Sequence, residues 1–152
     1  MSPSSTEACT LVVYEASAGG RAALMHAAEL ARAQDAPLVV LAVTPEANAD
    51  SGCLRCRVGA GLWNIAMADV AEEELQEARE ILAHAEPDDV RYVVGRGDPV
   101  RAIRAAAADV GAERVIVRSE RTHRLPLAGR RSLASQLASD RPFTVLCPPP
   151  AP

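Results

Sequence analysis

Two groups of residues in this 152-residue chain have the types and spacing to do chemistry. The first is Cys53-Leu54-Arg55-Cys56. Two thiolates separated by two residues can share one metal ion or close a small reversible disulfide. Arg55 and Arg57 put positive charge beside the sulfurs and favour the thiolate form. One such pair supplies only half of a tetrahedral zinc shell. The chain has no second CxxC and no HxxxH or CxxH. A structural zinc would need Cys9, a histidine, or the same pair from a second subunit. Thioredoxin-type chemistry places CxxC at the start of a helix just after a first strand, which is not where it falls here. Three readings stay open: inert thiols, a redox pair, and a metal site shared between subunits.

The second group is a run of arginines. Arg118, Arg121, Arg124, Arg130 and Arg131 fall within 14 positions, with His123 among them. Guanidinium forks suit carboxylate and phosphate oxygens. The cluster is therefore either a small anion site lined by Arg118, Arg121 and Arg131, or a solvated loop partly neutralised by Glu120 and Asp140. No catalytic set accompanies it. His26 and His84 lie on helical segments far from any serine or cysteine with a nucleophile signature, and GxSxG, HExxH and Walker A patterns are absent. Cys147 reads as a small buried hydrophobe and Cys9 as part of a flexible start. Leu62 and Trp63 read as core or interface anchors. Glu72-Glu73-Glu74 reads as a solvated helix face.

The elements that must position these groups follow from hydrophobic patterning. Thr10–Tyr14 (TLVVY) and Leu38–Val43 (LVVLAV) are apolar runs without alternation, as strands covered on both faces require. Val90–Val94, Arg114–Val117 and Phe143–Cys147 read as three more. Between them, Arg21–Gln34 carries Leu24, Ala27, Ala28 and Ala31 at helical spacing. Leu62–Ala85 carries Ala71, Leu75, Ala78, Leu82 and Ala85. A helix opens at Asp98-Pro99 and closes at Gly111. A fourth spans about 131 to 139. Residues 46–61 read as an irregular loop, and 1–9 and 148–152 as flexible ends. Strands alternating with helical crossovers predict one α/β domain with a five-stranded parallel sheet in a three-layer α/β/α sandwich. Ligands on such sheets sit beyond the carboxyl ends of the strands. The expected edge is the one formed by the loops after the first and fourth strands.

Composition narrows the function. Hydrophobic residues are 49% and aromatics 3%, so Ala, Leu and Val must fill the core. The net charge of −4 argues against a nucleic-acid partner. No apolar run is long enough to span a membrane, and MSPSSTEACT lacks the basic and apolar regions of a signal peptide, so the expected location is the cytoplasm.

The stretch TLVVYEASAGGRAALMHAAELARAQDAPLVVLAV, the phrase GDPVRAI and the ending SLASQLASDRPFTVLCP resemble the universal stress protein family. The resemblance runs over roughly residues 10 to 148, omitting 46–61. It implies a Rossmann-like fold of the adenine-nucleotide α-hydrolase type. Many members bind ATP through a loop after the fourth strand, with three spaced glycines and then Ser or Thr. Here those glycine positions fall on Arg118, Arg121 and Arg131, and only Ser132 matches. The acid at the end of the first strand corresponds to Glu15, Ser17 occupies the following turn, and Val43 and Gly97 complete the equivalent edge. Glycine lets backbone amides approach phosphate oxygens closely, which arginine obstructs. The expectation is a non-enzymatic stress-response or regulatory module without ATP bound in the family manner, and no cofactor. The alternatives are a nucleotide-binding protein with an altered ATP or AMP site, and a redox- or zinc-responsive module built on Cys53 and Cys56. The resemblance also implies a homodimer through the last strand, Phe143 to Cys147.

Overall fold

Apolar runs with no polar face can be satisfied only by cover on both sides, and the sheet provides it. The computed structural model describes residues 8–47, 53–85, 87–119, 132–138 and 143–148. In chain order the elements are β1 (Cys9–Val13), α1 (Ala18–Ala33), β2 (Leu38–Thr44), α2 (Leu54–Ala85), β3 (Val90–Arg96), α3 (Pro99–Val110), β4 (Ala112–Ile116), α4 (Leu133–Ala138) and β5 (Thr144–Leu146). The five strands form one sheet in the order β3-β2-β1-β4-β5. Every neighbouring pair is parallel. This is the five-stranded parallel α/β fold expected from the patterning.

Adjacent residues of a strand point to opposite faces, so each strand feeds two cores. Val12, Leu38, Val40 and Ala42 pack with Leu24, Ala28, Leu75 and Leu82 of α1 and α2. Leu11, Val39, Leu41 and Val115 pack with Ile103, Ala107 and Leu137 of α3 and α4. Small side chains on both helical layers let helices approach the sheet closely, which suits a chain with few aromatics. Asp98 caps α3 by accepting from the Arg101 amide at 3.0 Å, and Gly111 closes the helix in the left-handed region at φ 64°.

Several expectations are corrected. Residues 54–61, read as loop, are the first turns of α2. No residue before Ala71 on this helix is buried, so no inward stripe marks them as helical in the sequence. Leu54, Val58, Leu62 and Ile65 stand exposed, as does Trp63, which is not a core anchor. Cys9 belongs to β1 and is buried, because β1 begins one residue before its β-branched run. Cys147 is exposed, because β5 ends at Leu146. Pro148, assigned to a flexible end, is buried. Helix α1 starts at Ala18 rather than Arg21, so Gly19 and Gly20 lie in its first turn.

Gly59 and Gly61 have open space where a Cβ would stand. Alanine there adds helix propensity without a clash. Gly59→Ala or Gly61→Ala should stabilise the start of α2 by about 0.5–1 kcal/mol. Amide hydrogen exchange over 54–66 should slow by about two- to fivefold. Unchanged or faster exchange would contradict a helical start.

Candidate functional site

In the order β3-β2-β1-β4-β5, the chain winds outward from β1 to one side and later to the other, so the switch point lies between β1 and β4. Their carboxyl ends release two short segments toward the same edge. The segment after β1 is Tyr14-Glu15-Ala16-Ser17, and the one after β4 carries Val117 and Arg118.

The β1–α1 segment is a tight turn. The Ser17 amide donates to the Glu15 carbonyl at 2.8 Å. The Ser17 side chain then caps α1 by accepting from the Gly20 amide at 3.0 Å. Gly20 lies so close beneath the turn that a Cβ on it would stand 2.0 Å from the Glu15 carbonyl oxygen. The structure shows Gly20 to be a contact point between helix and turn.

Glu15 and Arg118, both assigned to the nucleotide-equivalent edge, meet across the switch point. Arg118 Nη1 lies 3.0 Å from Glu15 Oε1, each side chain being about 45% exposed. The Arg118 stem crosses the start of α1, 3.6 Å from the position of a Cβ on Gly19. An exposed pair of this kind contributes about 0.2–1 kcal/mol. Its larger consequence is steric and electrostatic. The Arg118 stem lies against the start of α1 at the switch point, and a carboxylate already partners its guanidinium. An anion arriving here has to compete with Glu15 for Arg118.

The remaining assigned residues spread along the same edge or away from it. Val43, near the end of β2, is partly buried in the core shared with α3 and α4. Gly97 follows β3 at φ 90°, and its amide donates to the Thr44 carbonyl at 3.0 Å. Ser132 precedes α4, and its Oγ accepts from the Ser135 amide at 3.1 Å. Arg121 and Arg131, with Arg124, Arg130 and His123, lie outside the described residues. The carboxyl edge carries a cleft of about 20 Å³ lined by Thr44, Pro45, Glu46, Asn64 and Arg96. Among the described residues, clefts of about 230 and 260 Å³ open at the amino edge, around Ala36 and Asp89 and around Cys9 and Arg91. They are larger but far from the strand ends where ligands of this fold type sit.

The sequence reading missed a polar cluster that braces the β1–α1 turn from α2. Glu74 accepts from the Ala16 amide at 3.1 Å, and Glu77 meets Arg21 at 2.6 Å. Glu74 is thus not part of a wholly solvated face: burial pushes its carboxyl up, and the Ala16 amide opposes that shift. Arg21 first, then Tyr14, holds the Glu77 carboxyl below its usual value. Tyr14 itself is 1% exposed and its hydroxyl makes no hydrogen bond of normal geometry. Burial and then the nearby Glu77 push that hydroxyl up to about 12. Spacing carried no signal for it, because Glu73 and Glu74, four and three residues before Glu77, are both its neighbours on the helix surface.

The other motif stands apart from this edge. Cys53 immediately precedes α2 and Cys56 lies in its first turn, which corrects the placement of the pair in a loop. Both thiols are exposed, and their sulfurs are 3.0 Å apart. The Cys53 thiol is held below its ordinary value by the Cys56 thiol and then by the backbone amide of Cys56. The neighbouring thiol first, and then the backbone amides at the helix start, supply this effect rather than the guanidinium charges of Arg55 and Arg57. Among the described residues no group of three or more His, Cys, Asp and Glu side chains could hold a metal ion. No described helix is long and apolar enough to cross a membrane.

Comparison with known proteins completes the description. The chain superposes on the universal stress protein UspA from Lactobacillus plantarum with a TM-score of 0.75 at 16% identity, over 93% of this chain and 97% of that one. A universal stress family protein from Burkholderia pseudomallei gives 0.73 at 20% identity, over 98% and 100%. A universal stress protein from Archaeoglobus fulgidus in complex with dAMP gives 0.61 at 19% identity, over 92% and 96%. Comparison with curated proteins gives no significant match. The sequence model of the Universal stress protein family matches residues 10–147, nearly the whole chain from the first strand to the last. The chain belongs to the universal stress protein family.

Proposed function

We propose that this protein is a non-enzymatic stress-response or regulatory module whose switch-point edge does not take ATP in the family manner. The observation that carries this reading is the Glu15–Arg118 pair across the β1–β4 crevice. Where the family pattern implies a glycine whose amide approaches a phosphate, this chain has a side chain lying over α1 and bound to a carboxylate. A triphosphate would have to displace both the stem and its partner, and would meet the Glu15 charge. Relatives of this fold have been solved with cAMP and with dAMP. The fold outline is shared with these nucleotide-bound proteins, while Arg118 stands where the family pattern implies a glycine.

The test is titration of magnesium ATP into the purified protein, by calorimetry and by thermal unfolding. The expected result is no heat and no stabilisation. A family-type site would raise stability by about 2.7 kcal/mol at 100 times its dissociation constant. A micromolar, magnesium-dependent ATP site would overturn the reading.

The module acts as a homodimer through its last strand. β5 stands at one end of the sheet order, hydrogen-bonded to β4 alone among the described strands. An open strand edge favours pairing, and two-fold closure is the commonest solution. Sedimentation at high concentration should give twice the 16.0 kDa chain mass. A single 16.0 kDa species would refute the dimer.

A further inference from the structure

The Cys53–Cys56 pair is not used by the edge described above, and its geometry is specific. Cys53 stands where a helix N-cap stands: its carbonyl accepts from the Arg57 amide at 3.0 Å, closing the first turn of α2. Cys56 is three residues on, the position whose amide an N-cap side chain ordinarily accepts from. The two sulfurs are 3.0 Å apart on one side of that turn. Both are exposed, as are their neighbours Leu54, Arg55 and Arg57, so a second molecule can reach them without rearrangement. A helix start also favours negative charge at this place.

The other described thiols differ. Cys9 is buried in β1, and burial pushes its thiol up. Cys147 is exposed and follows the end of a strand rather than opening a helix. One of the four cysteines is therefore poised as a nucleophile with a second thiol beside it.

We propose that Cys53 and Cys56 form a thiol–disulfide exchange site that accepts two electrons' worth of oxidation from a low-molecular-weight disulfide. In the first step the Cys53 thiolate attacks one sulfur of the incoming disulfide. The external S–S bond breaks, a mixed disulfide forms at Cys53, and one external thiolate leaves and takes a proton. In the second step the Cys56 thiol loses its proton to solvent and attacks Cys53 Sγ. The mixed disulfide breaks, Cys53–Cys56 forms, and the second external thiolate leaves and is protonated. The external disulfide is reduced to two thiols, and the protein dithiol is oxidised. Cys53 is the attacking residue and Cys56 the resolving one, because the backbone at the helix start supports charge on Cys53.

The probe is oxidised glutathione under anaerobic conditions, with mass spectrometry of the alkylated protein. At pH 7, iodoacetamide should modify Cys53 faster than Cys147 by on the order of tenfold. Wild type with excess oxidised glutathione should lose two alkylatable thiols together and show a Cys53–Cys56 peptide link. Cys56→Ser should stop at the mixed disulfide, carrying one glutathione on Cys53. Cys53→Ser should show neither product. Serine is itself a good N-cap, so that variant should keep the helical circular dichroism of wild type. The proposal is overturned if Cys53 alkylates no faster than Cys147. It is equally overturned if glutathione adds without an internal disulfide following. Stoichiometric zinc protecting both thiols in protein purified without chelator would also overturn it.

Discussion

Replacing Gly20 with alanine is expected to destabilise the protein by about 2–4 kcal/mol, which is large for the addition of one methyl group. Alanine normally improves a helix relative to glycine. Here the new Cβ would stand 2.0 Å from the Glu15 carbonyl oxygen, 3.0 Å from its carbon and 3.2 Å from its nitrogen. The obstacle is backbone, so no side-chain rotation relieves it. Either α1 lifts from the sheet or the turn is displaced. The first loosens Ala23, Leu24 and Ala27, all fully buried. The second strains the Ser17–Glu15 turn bond and the bond from the Tyr14 amide to the Leu41 carbonyl, both 2.8 Å. It also moves Glu15 away from Arg118. Gly19→Ala is the matched control, because its Cβ would make only ordinary contact, 3.6 Å from Arg118 Cβ. Urea unfolding should show a large drop in midpoint for Gly20→Ala and little change for Gly19→Ala. Equal effects would show that the close approach of turn and helix does not exist in solution.

The second large effect is expected in alkali. The Tyr14 hydroxyl is pushed up to about 12 in the folded protein, against an ordinary value near 10. A raised value means that the folded state holds the proton more tightly than the unfolded chain. The resulting stability is fully present below about pH 10 and is lost as pH rises through about 12. Two units correspond to about 2.7 kcal/mol in all, and about half of that should be gone near pH 11. The physical cause is first the burial of the phenol and then the Glu77 carboxylate, which disfavours a second negative charge beside it; Arg21 opposes both. Tyr92 is shifted in the same direction by burial, so wild type alone does not isolate the effect. Tyr14→Phe does. Phenylalanine also removes a buried hydroxyl that lacks a well-formed hydrogen bond, so it should be at least as stable as wild type at pH 7. Urea midpoints of both proteins from pH 8 to 11.5 should diverge above pH 10, with Tyr14→Phe the more resistant. Parallel curves would refute the assignment.

The two effects concern the same small volume. Gly20 presses on Glu15 from below, Tyr14 anchors the start of the turn in the core, and Glu74 and Glu77 brace it from α2. The carboxylate facing Arg118 is therefore held by a rigid turn. A pair with one partner on such a turn is harder to open for a ligand than two side chains on mobile loops.

The sequence by itself determined the sheet, its parallel sense and its cover. Unalternating runs such as Leu38–Val43 admit no solvent face, and the apolar stripe Leu24-Ala27-Ala28-Ala31 supplies the cover that such strands need. It also determined the caps of α3, because Asp98, Pro99 and Gly111 act through local backbone chemistry. Tertiary structure decided what depends on who stands opposite. The first turns of α2 bury no residue, so the pattern that reveals a helix is missing from 54–61 although the helix is there. Glu74 and Glu77 differ from Glu72 and Glu73 only in what the fold brings near them. Arg118 was legible as a departure from glycine, but its pairing with Glu15 arises because β1 and β4, 103 positions apart at Glu15 and Arg118, lie side by side. Periodicity records burial and caps record local geometry. Contacts between distant charged side chains leave no trace in either.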